Sequence, residues 1–551
     1  MKTLISALVF MFAVNNLIGQ ENTRVIKYRE QLSDTFVWPD HKKYYVDIDK
    51  DRFITIFIKS TGKVIAELQD SSGSIISEFK ELEWLSNTYY IEYDSKFNGN
   101  FFVSINTASS DSAIEVKIDY KVNISSEDRA LKDSIKIDNA IFSKMYYNFK
   151  LSEDRIISVG PSGELGAAGK LMYLDTKTNN FGIMYPLNDS TFYSPNSFLD
   201  SYSDDVRIIF NREGTEVTSM TWTEKDDTPL NAPLVYPSKV ENIEFTNGDV
   251  KLDGILIKPQ GKGPFPLIVF AHGSGATLRD QGFFLSCFLR YGFAVLSFDK
   301  RGAGRSSGDW VTSSFENLAE DIIRGIEFVK GTCEIDTAKV GLFGISQGGW
   351  VATIAAGKSA SVRFLIINTG SGVSVNKNMA YEFECIMREK GIYSEYEINE
   401  MITFYYDLLE KATDGVPYDS IQKYISLKKD NKWLSSVPIT NLPEKARWWT
   451  WQKLNGRYDN SILTSKLSCP VLWVLANNDK NVPFEISKKG IEEAIKVSGN
   501  KNFTLKHFTP STHVMIESDT GYFSNDVITE RKFVSGYWTL MEKWINSLLK
   551  K

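Results

Sequence analysis

The chain has 551 residues, of which 42% are hydrophobic and 24% charged, as in ordinary globular domains. This length allows about three domains. The net charge of −6, with no basic patch along the sequence, argues against nucleic-acid and anionic-membrane binding.

The first twenty residues predict a secretory signal. Lys2 precedes an apolar run from Leu4 to Val14, which is too short to span a bilayer permanently. Cleavage is expected near Gly19 or Gln20, and no cysteine follows that could carry a lipid anchor. The alternative is a buried N-terminal helix. From the signal prediction we expect an exported protein, periplasmic or extracellular, with no transmembrane segment after signal removal.

Two β-rich regions are predicted next. Residues 113–122 alternate apolar and polar side chains, as a half-buried antiparallel strand requires. Together with turn-rich spacing, this predicts a sandwich of the jelly-roll kind over residues 22–124. Residues 125–238 form a second β-rich module with a hairpin expected at 211–214, and they show no repeat of propeller period.

From residue 239 onward, Val/Ile/Leu-rich strand patterns alternate with helical ones, up to residue 551. This pattern predicts an α/β domain with a doubly wound, mostly parallel sheet covered by helices on both faces. The interval 371–462 is too long for a simple crossover and predicts a helical cap. Its four tryptophans could line an acyl or sugar pocket, but the favoured interpretation is that most of them form the core of the cap; they are Trp433, Trp448, Trp449 and Trp451.

One segment of this domain carries a nucleophile signature. An apolar run ends in Gly-x-Ser-x-Gly at residues 344–348, and an alanine-rich helical pattern follows. This strand–turn–helix context holds a nucleophilic serine on a strained turn, with glycines where β-carbons would clash. The alternative is a glycine-rich turn with an incidental serine. The sequence predicts Ser346 as the nucleophile.

A second strand ends in small residues at His-Gly-Ser-Gly, residues 272–275. Acyl transfer develops negative charge on a carbonyl oxygen, which preorganised backbone N–H groups stabilise. The expected donors are the amides of Gln347, directly after the nucleophile, and of Ser274. The alternative is a tight turn whose histidine only packs.

An acid and a base are predicted further along. Asp479 follows a late apolar strand, where a carboxylate that orients a base belongs, although it could merely cap the next helix. His513 lies on a loop after the last strand pattern and can accept the serine proton. His507, inside that strand pattern, is the competing base.

The order Ser346, Asp479, His513 resembles that of the α/β-hydrolase superfamily, and the resemblance covers about residues 240–551. Residues 299–306 resemble the D-x-R-G-x-G-x-S loop of that superfamily, whose charges belong to the scaffold. The resemblance implies two-step acyl transfer through an acyl-enzyme. Within the superfamily, similarity to secreted bacterial esterases and dienelactone-hydrolase-like enzymes makes carboxylic-ester hydrolysis the leading function.

Two other functions stay open: a serine peptidase resembling the prolyl oligopeptidase group, and a catalytically silent binding protein on a hydrolase fold. The expected partner is a small-molecule or glycan ester. No metal-binding or nucleotide-binding motif is present, so no cofactor is expected. The four cysteines have no disulfide-framework spacing and are expected to be free and buried.

Overall fold

The computed structural model describes residues 24–26, 32–37, 40–48, 52–82, 85–94, 99–107, 113–125, 137–163, 168–195, 205–224, 227–332, 334–521 and 531–550. The predicted signal, residues 1–20, and Cys333 lie outside these ranges.

The N-terminal strands form a β-sandwich. Two five-stranded sheets, ordered β1-β3-β9-β5-β6 and β2-β10-β4-β8-β7, contribute to one core. Alternate side chains point inward as the period of two requires, for example Ile54, Ile56 and Ile58 from one sheet and Val103 and Ile105 from the other. The strands are β1 Arg24–Val25, β2 Leu32–Phe36, β3 His41–Ile48, β4 Arg52–Ser60, β5 Val64–Gln69, β6 Ile75–Glu78, β7 Lys80–Leu82, β8 Leu85–Asp94, β9 Gly99–Thr107 and β10 Ile114–Ser125.

The second β-rich region is a closed eight-stranded barrel rather than a further sandwich. A short helix, α1 (Asn139–Phe142), precedes it. Aromatic pairs pack within it, including Phe149 stacked on Phe210 at 5.6 Å and Tyr173 edge-on to Trp222 at 5.1 Å. The strands are β11 Tyr147–Ser152, β12 Arg155–Ser162, β13 Lys170–Asp175, β14 Phe181–Pro186, β15 Thr191–Ser194, β16 Val206–Glu213, β17 Glu216–Glu224 and β18 Leu230–Val235.

The C-terminal domain is built on an eight-stranded sheet ordered β19-β20-β22-β21-β23-β24-β25-β26. The β19–β20 and β20–β22 pairs are antiparallel, and every other neighbouring pair is parallel. The strands are β19 Ser238–Asn247, β20 Val250–Pro259, β21 Phe265–Ala271, β22 Ala294–Phe298, β23 Ile335–Ile345, β24 Phe364–Asn368, β25 Val471–Ala476 and β26 Phe503–Phe508. The predicted doubly wound, mostly parallel sheet is confirmed.

Helices cover both faces of this sheet. Successive residues of β23 point to opposite sides: Leu342 enters the core that includes Ile322 and Ala352, while Phe343 packs on Phe288 at 5.2 Å. Between β24 and β25 lies a group of helices with its own core. The helices are α2 Phe283–Arg290, α3 Phe315–Lys330, α4 Gly348–Lys358, α5 Val375–Lys390, α6 Glu395–Thr413, α7 Tyr418–Ser426, a 3-10 turn Lys432–Ser436, α8 Arg447–Asn455, α9 Asn460–Thr464, α10 Phe484–Ser498 and α11 Tyr537–Leu549.

Candidate active site

Ser346 sits on the turn between β23 and α4, in a left-handed conformation with φ of 53°. An L-residue rarely adopts this conformation, and it stores strain that the surrounding structure must support. A Cβ on Gly344 would lie 2.6 Å from the carbonyl oxygen of Gly348, so only glycine fits there. The Ser346 amide donates to the Asn368 carbonyl at 3.0 Å, which ties the turn to β24. Ser346 is half-buried at the edge of the sheet.

The predicted acid and base are in direct contact. The Nδ1 atom of His513 lies 2.8 Å from Oδ2 of Asp479, whose residue is only 1% exposed. The other carboxylate oxygen accepts the amides of Asn481 and Val482, both at 2.8 Å. Because Asp479 accepts from Nδ1–H, it fixes the tautomer that leaves Nε2 free to take a proton.

The surroundings of His513 favour its charged form. Burial, acting alone, would lower the pKa of its imidazole. The adjacent carboxylate of Asp479, with a smaller contribution from Glu382, outweighs burial and raises the pKa above its ordinary value. A base stabilised as imidazolium suits a step in which it accepts the serine proton.

The sheet brings the three predicted residues to one edge. Strand β24 lies between β23, which ends before Ser346, and β25, which ends before Asp479. Two inter-strand steps of about 4.8 Å put the serine and aspartate turns about 10 Å apart, a gap that an imidazole spans. No hydrogen bond of the Ser346 hydroxyl occurs among the described residues, so its contact with His513 stays a prediction.

Both predicted oxyanion donors adjoin the nucleophile. The loop containing Ser274 follows β21, which pairs with β23 through Ala271 and Gly344. A Cβ on Gly273 would lie 3.8 Å from that of Ser346. Among the described residues, the amides of Ser274 and Gln347 donate to no partner. Two unpaired N–H groups beside a serine are what an oxyanion site requires.

The other histidines of this domain are placed differently. His507 lies on the edge strand β26, exposed, with its ring 5.3 Å from that of Phe484. His272 is buried and its Nε2 lies 2.6 Å from the Phe298 carbonyl oxygen. Burial, together with the charge of Lys300, lowers the pKa of His272 to about 4. Neither ring contacts Asp479, which has His513 as its partner.

The residues resembling the D-x-R-G loop are largely scaffold, as expected. Asp299 accepts two hydrogen bonds from the Arg279 guanidinium, at 3.0 and 2.6 Å, and Arg301 pairs with the buried carboxylate of Asp321. Lys300, the variable residue of this motif, is the exception. It is 4% exposed and its ammonium reaches the Ser274 loop and Gln347. This contact could not be predicted from the sequence pattern, because the pattern does not say that β22 ends beside β21.

A cap helix also touches the acid loop. From α5, Tyr381 donates through its hydroxyl to the Asp479 carbonyl at 2.7 Å, and Asn378 donates to the Asn481 carbonyl at 3.0 Å. Glu382 accepts from the Asn481 amide group at 2.8 Å, and burial raises the pKa of this carboxyl. These contacts connect the cap to the loop that holds the acid. They were not predicted from the sequence, because the sequence pattern of α5 is that of an ordinary amphipathic helix.

The cap tryptophans divide between two cores. Trp433 is 2% exposed within the core of the cap, and Trp448 and Trp449 pack against that core. Trp451 instead joins the main domain core, with its ring 6.1 Å from that of Phe315. Most of these tryptophans therefore pack in the core of the cap, as predicted, and Trp451 is the exception.

Of the described cysteines, Cys287 and Cys385 are buried thiols as expected, whereas Cys469 is a thiol that is only half-buried. No cluster of three or more His, Cys, Asp or Glu side chains suited to a metal occurs within the described ranges. No helix there is long and apolar enough to cross a membrane.

Part of this chain is similar to known protein families and relatives. The family model described as X-Pro dipeptidyl-peptidase (S15 family) matches residues 247–513, just under half of the chain. Escherichia coli O157:H7 protein YfhR, which is uncharacterized, is 28% identical over 37% of this chain and 73% of its own length. The bifunctional esterase/perhydrolase DCH of Acinetobacter calcoaceticus is 23% identical over 44% of this chain and 84% of its own.

Two solved structures are also similar. An esterase from Pyrococcus furiosus, 16% identical, aligns over 56% of this chain and 91% of its own with a TM-score of 0.36. An acylaminoacyl peptidase from Pyrococcus horikoshii, 14% identical, aligns over 74% of this chain and 56% of its own with a TM-score of 0.38. The sheet topology is that of an α/β-hydrolase, and the matched family and relatives support a serine hydrolase.

Proposed function

We propose that this protein is a carboxylic-ester hydrolase that works through an acyl-enzyme on Ser346. The 2.8 Å hydrogen bond between His513 and Asp479, at the same sheet edge as the strained serine turn, is the observation that carries this function. His513 accepts the hydroxyl proton as Ser346 attacks the ester carbonyl. The amides of Ser274 and Gln347 hold the oxyanion.

The two half-reactions use the same groups. Collapse of the first tetrahedral intermediate expels the alcohol, which takes its proton from His513. Water then attacks the acyl-enzyme while His513 again accepts a proton, and the acid leaves with Ser346 restored. Asp479 keeps the imidazole in its working tautomer throughout.

The ester assignment draws its support from relatives named as esterases. One is the Acinetobacter esterase/perhydrolase, and the other is Esterase FrsA of Escherichia fergusonii, 30% identical over 21% of this chain and 28% of its own length. The substrate we propose is a small-molecule or glycan ester, hydrolysed in the periplasm or outside the cell after removal of residues 1–20. Mass analysis of the mature N-terminus tests this export: a protein that keeps residues 1–20 contradicts it.

The family description favours a second candidate, a serine peptidase. The same residues cleave an amide if the cap binds a peptide and His513 protonates the departing amine. Fold and triad do not choose between these acyl donors, because specificity resides in the pocket.

A hydrolysis panel separates the candidates. Purified protein is assayed on nitrophenyl esters of increasing acyl length, acetylated sugars, and Pro- and Ala-nitroanilides, with Ser346→Ala as the blank. The ester assignment predicts turnover of the esters alone, abolished in the variant. Faster cleavage of the anilides would make the protein a peptidase. Absence both of turnover and of fluorophosphonate labelling would make it a silent binding protein.

A further inference from the structure

Three oxygen atoms accept hydrogen bonds from the Lys300 ammonium. Its Nζ donates to the carbonyl of Gly273 at 2.5 Å, to that of Gly275 at 3.1 Å, and to the side-chain oxygen of Gln347 at 3.1 Å. Two of these acceptors flank Ser274, and the third belongs to the other predicted oxyanion donor. A buried cation therefore joins both halves of the candidate oxyanion site.

The contact with Gly273 fixes the direction of the Ser274 amide. The Gly273 carbonyl and the Ser274 N–H belong to one peptide unit, and this bond is not among the cis bonds of the structure. In a planar trans peptide the C=O and N–H point in opposite directions. Holding the oxygen toward Lys300 therefore turns the N–H away from it, and that N–H has no partner among the described residues.

A charge on the carbonyl side also strengthens the donor. Hydrogen bonds in a chain polarise one another, so an ammonium at the peptide oxygen makes the N–H of the same unit a better donor. Hydrogen bonds that involve a charged partner are about twice as strong as neutral ones. The neighbouring glycines do not by themselves restrict the orientation of this peptide. Gly275, for example, has φ of 91° and nothing within 4 Å of a Cβ built on it.

We propose that Lys300 is a positioning residue that holds the Gly273–Ser274 peptide in the orientation required for oxyanion binding. It does not touch the substrate. This inference rests on the proposed function, since it requires Ser346 to form an oxyanion. It goes beyond that function by giving the variable residue of the D-x-R-G-like loop a role in the rate of the reaction.

A second buried lysine provides a matched control. Lys258, on β20, is 6% exposed and pairs with the carboxylates of Glu241 on β19 and Glu334 directly before β23, away from the serine turn. Lys300→Met and Lys258→Met each remove one buried ammonium from the same domain. Both are expected to lower the melting temperature, but only Lys300→Met is expected to affect the transition state.

The experiment uses full-length protein, with active sites titrated by a fluorophosphonate. For Lys300→Met we expect kcat on a nitrophenyl ester to fall by about 10²-fold to 10³-fold, the effect of losing one oxyanion donor, while KM stays within about 3-fold. The Ki of a trifluoromethyl ketone, whose serine adduct carries an oxyanion, should rise by the same factor as kcat/KM falls. Lys258→Met should leave kcat and Ki unchanged.

The outcomes distinguish a failure of the proposed hydrolase function from a failure of the proposed role of Lys300. If wild-type protein neither turns over esters nor reacts with the fluorophosphonate, the proposed function fails. If the wild type is active and folded Lys300→Met keeps its kcat per titrated site, the role of Lys300 is refuted and the lysine is purely structural. If Lys300→Met does not fold, the same measurements are made on Lys300→Gln, which keeps a neutral donor. A rise in Ki that matches the fall in kcat/KM supports the proposal, and unchanged values refute it.

Discussion

The second glycine of the serine motif offers a direct test of how tightly the nucleophile turn is packed. A Cβ added at Gly348 would lie 2.8 Å from the carbonyl carbon of Ala271 and 2.9 Å from the carbonyl oxygen of His272, and it would be nearer still to the oxygen of Ala271. Ordinary contacts begin at 3.4 Å, so α4 and the end of β21 must separate by 0.6 Å or more. The atoms that the Cβ would meet are backbone atoms at the end of β21 and directly after it, and backbone cannot yield as a side-chain end can.

The expected cost of Gly348→Ala follows from this displacement. Overpacking of this kind costs about 1–3 kcal/mol of folding free energy. Moving Ser346 relative to the Ser274 loop by a large part of 1 Å should lower kcat by about 10-fold to 100-fold, because a 1 Å misplacement can cost about 100-fold.

The same helix supplies the control. Gly357 is exposed near the C-terminal end of α4 and has nothing within 4 Å of an added Cβ. Gly357→Ala should raise the free energy of unfolding by about 0.5 kcal/mol through helix propensity and leave kcat unchanged. Urea unfolding and ester hydrolysis are measured on both variants. Wild-type stability and kcat in Gly348→Ala would refute the packing argument.

Two further predictions concern the base. His513→Ala should lower kcat by about 10³-fold or more, whereas His507→Ala should leave it near the wild-type value; the reverse result in an ester assay would show that the base assignment is wrong. Glu382→Gln removes a negative charge that helps to raise the pKa of His513. Because the neutral imidazole is the active form and the substitution lowers the raised pKa of His513, the acidic limb of the kcat/KM profile should move to lower pH than in the wild type. A profile that stays in place or moves to higher pH would contradict the coupling.

Local patterns were sufficient to predict the parallel sheet and its candidate serine, aspartate and histidine. The apolar strand before Gly-x-Ser-x-Gly and the one before Asp479 are each visible in a short continuous segment of sequence. A parallel sheet then brings the carboxyl ends of its strands to one edge. The chain order of the three residues is likewise a property of the sequence. The cap helices were predictable from the helical spacing of their apolar residues. Their contacts with Asp479 and Asn481 could not be predicted in this way.

The contacts around these residues were decided only by tertiary structure. Lys300 lies 26 residues from Ser274 and 47 from Gln347 in the sequence. The strand order β22-β21-β23 nevertheless brings its ammonium into contact with the Ser274 loop and with the Gln347 side chain. Likewise, α5 reaches across about a hundred residues of sequence to hold the loop of Asp479. Strand order and helix docking depend on how whole faces pack rather than on neighbouring residues. The sequence alone therefore determined which groups are the candidates for the chemistry, and the fold decided how they are oriented and what charges surround them.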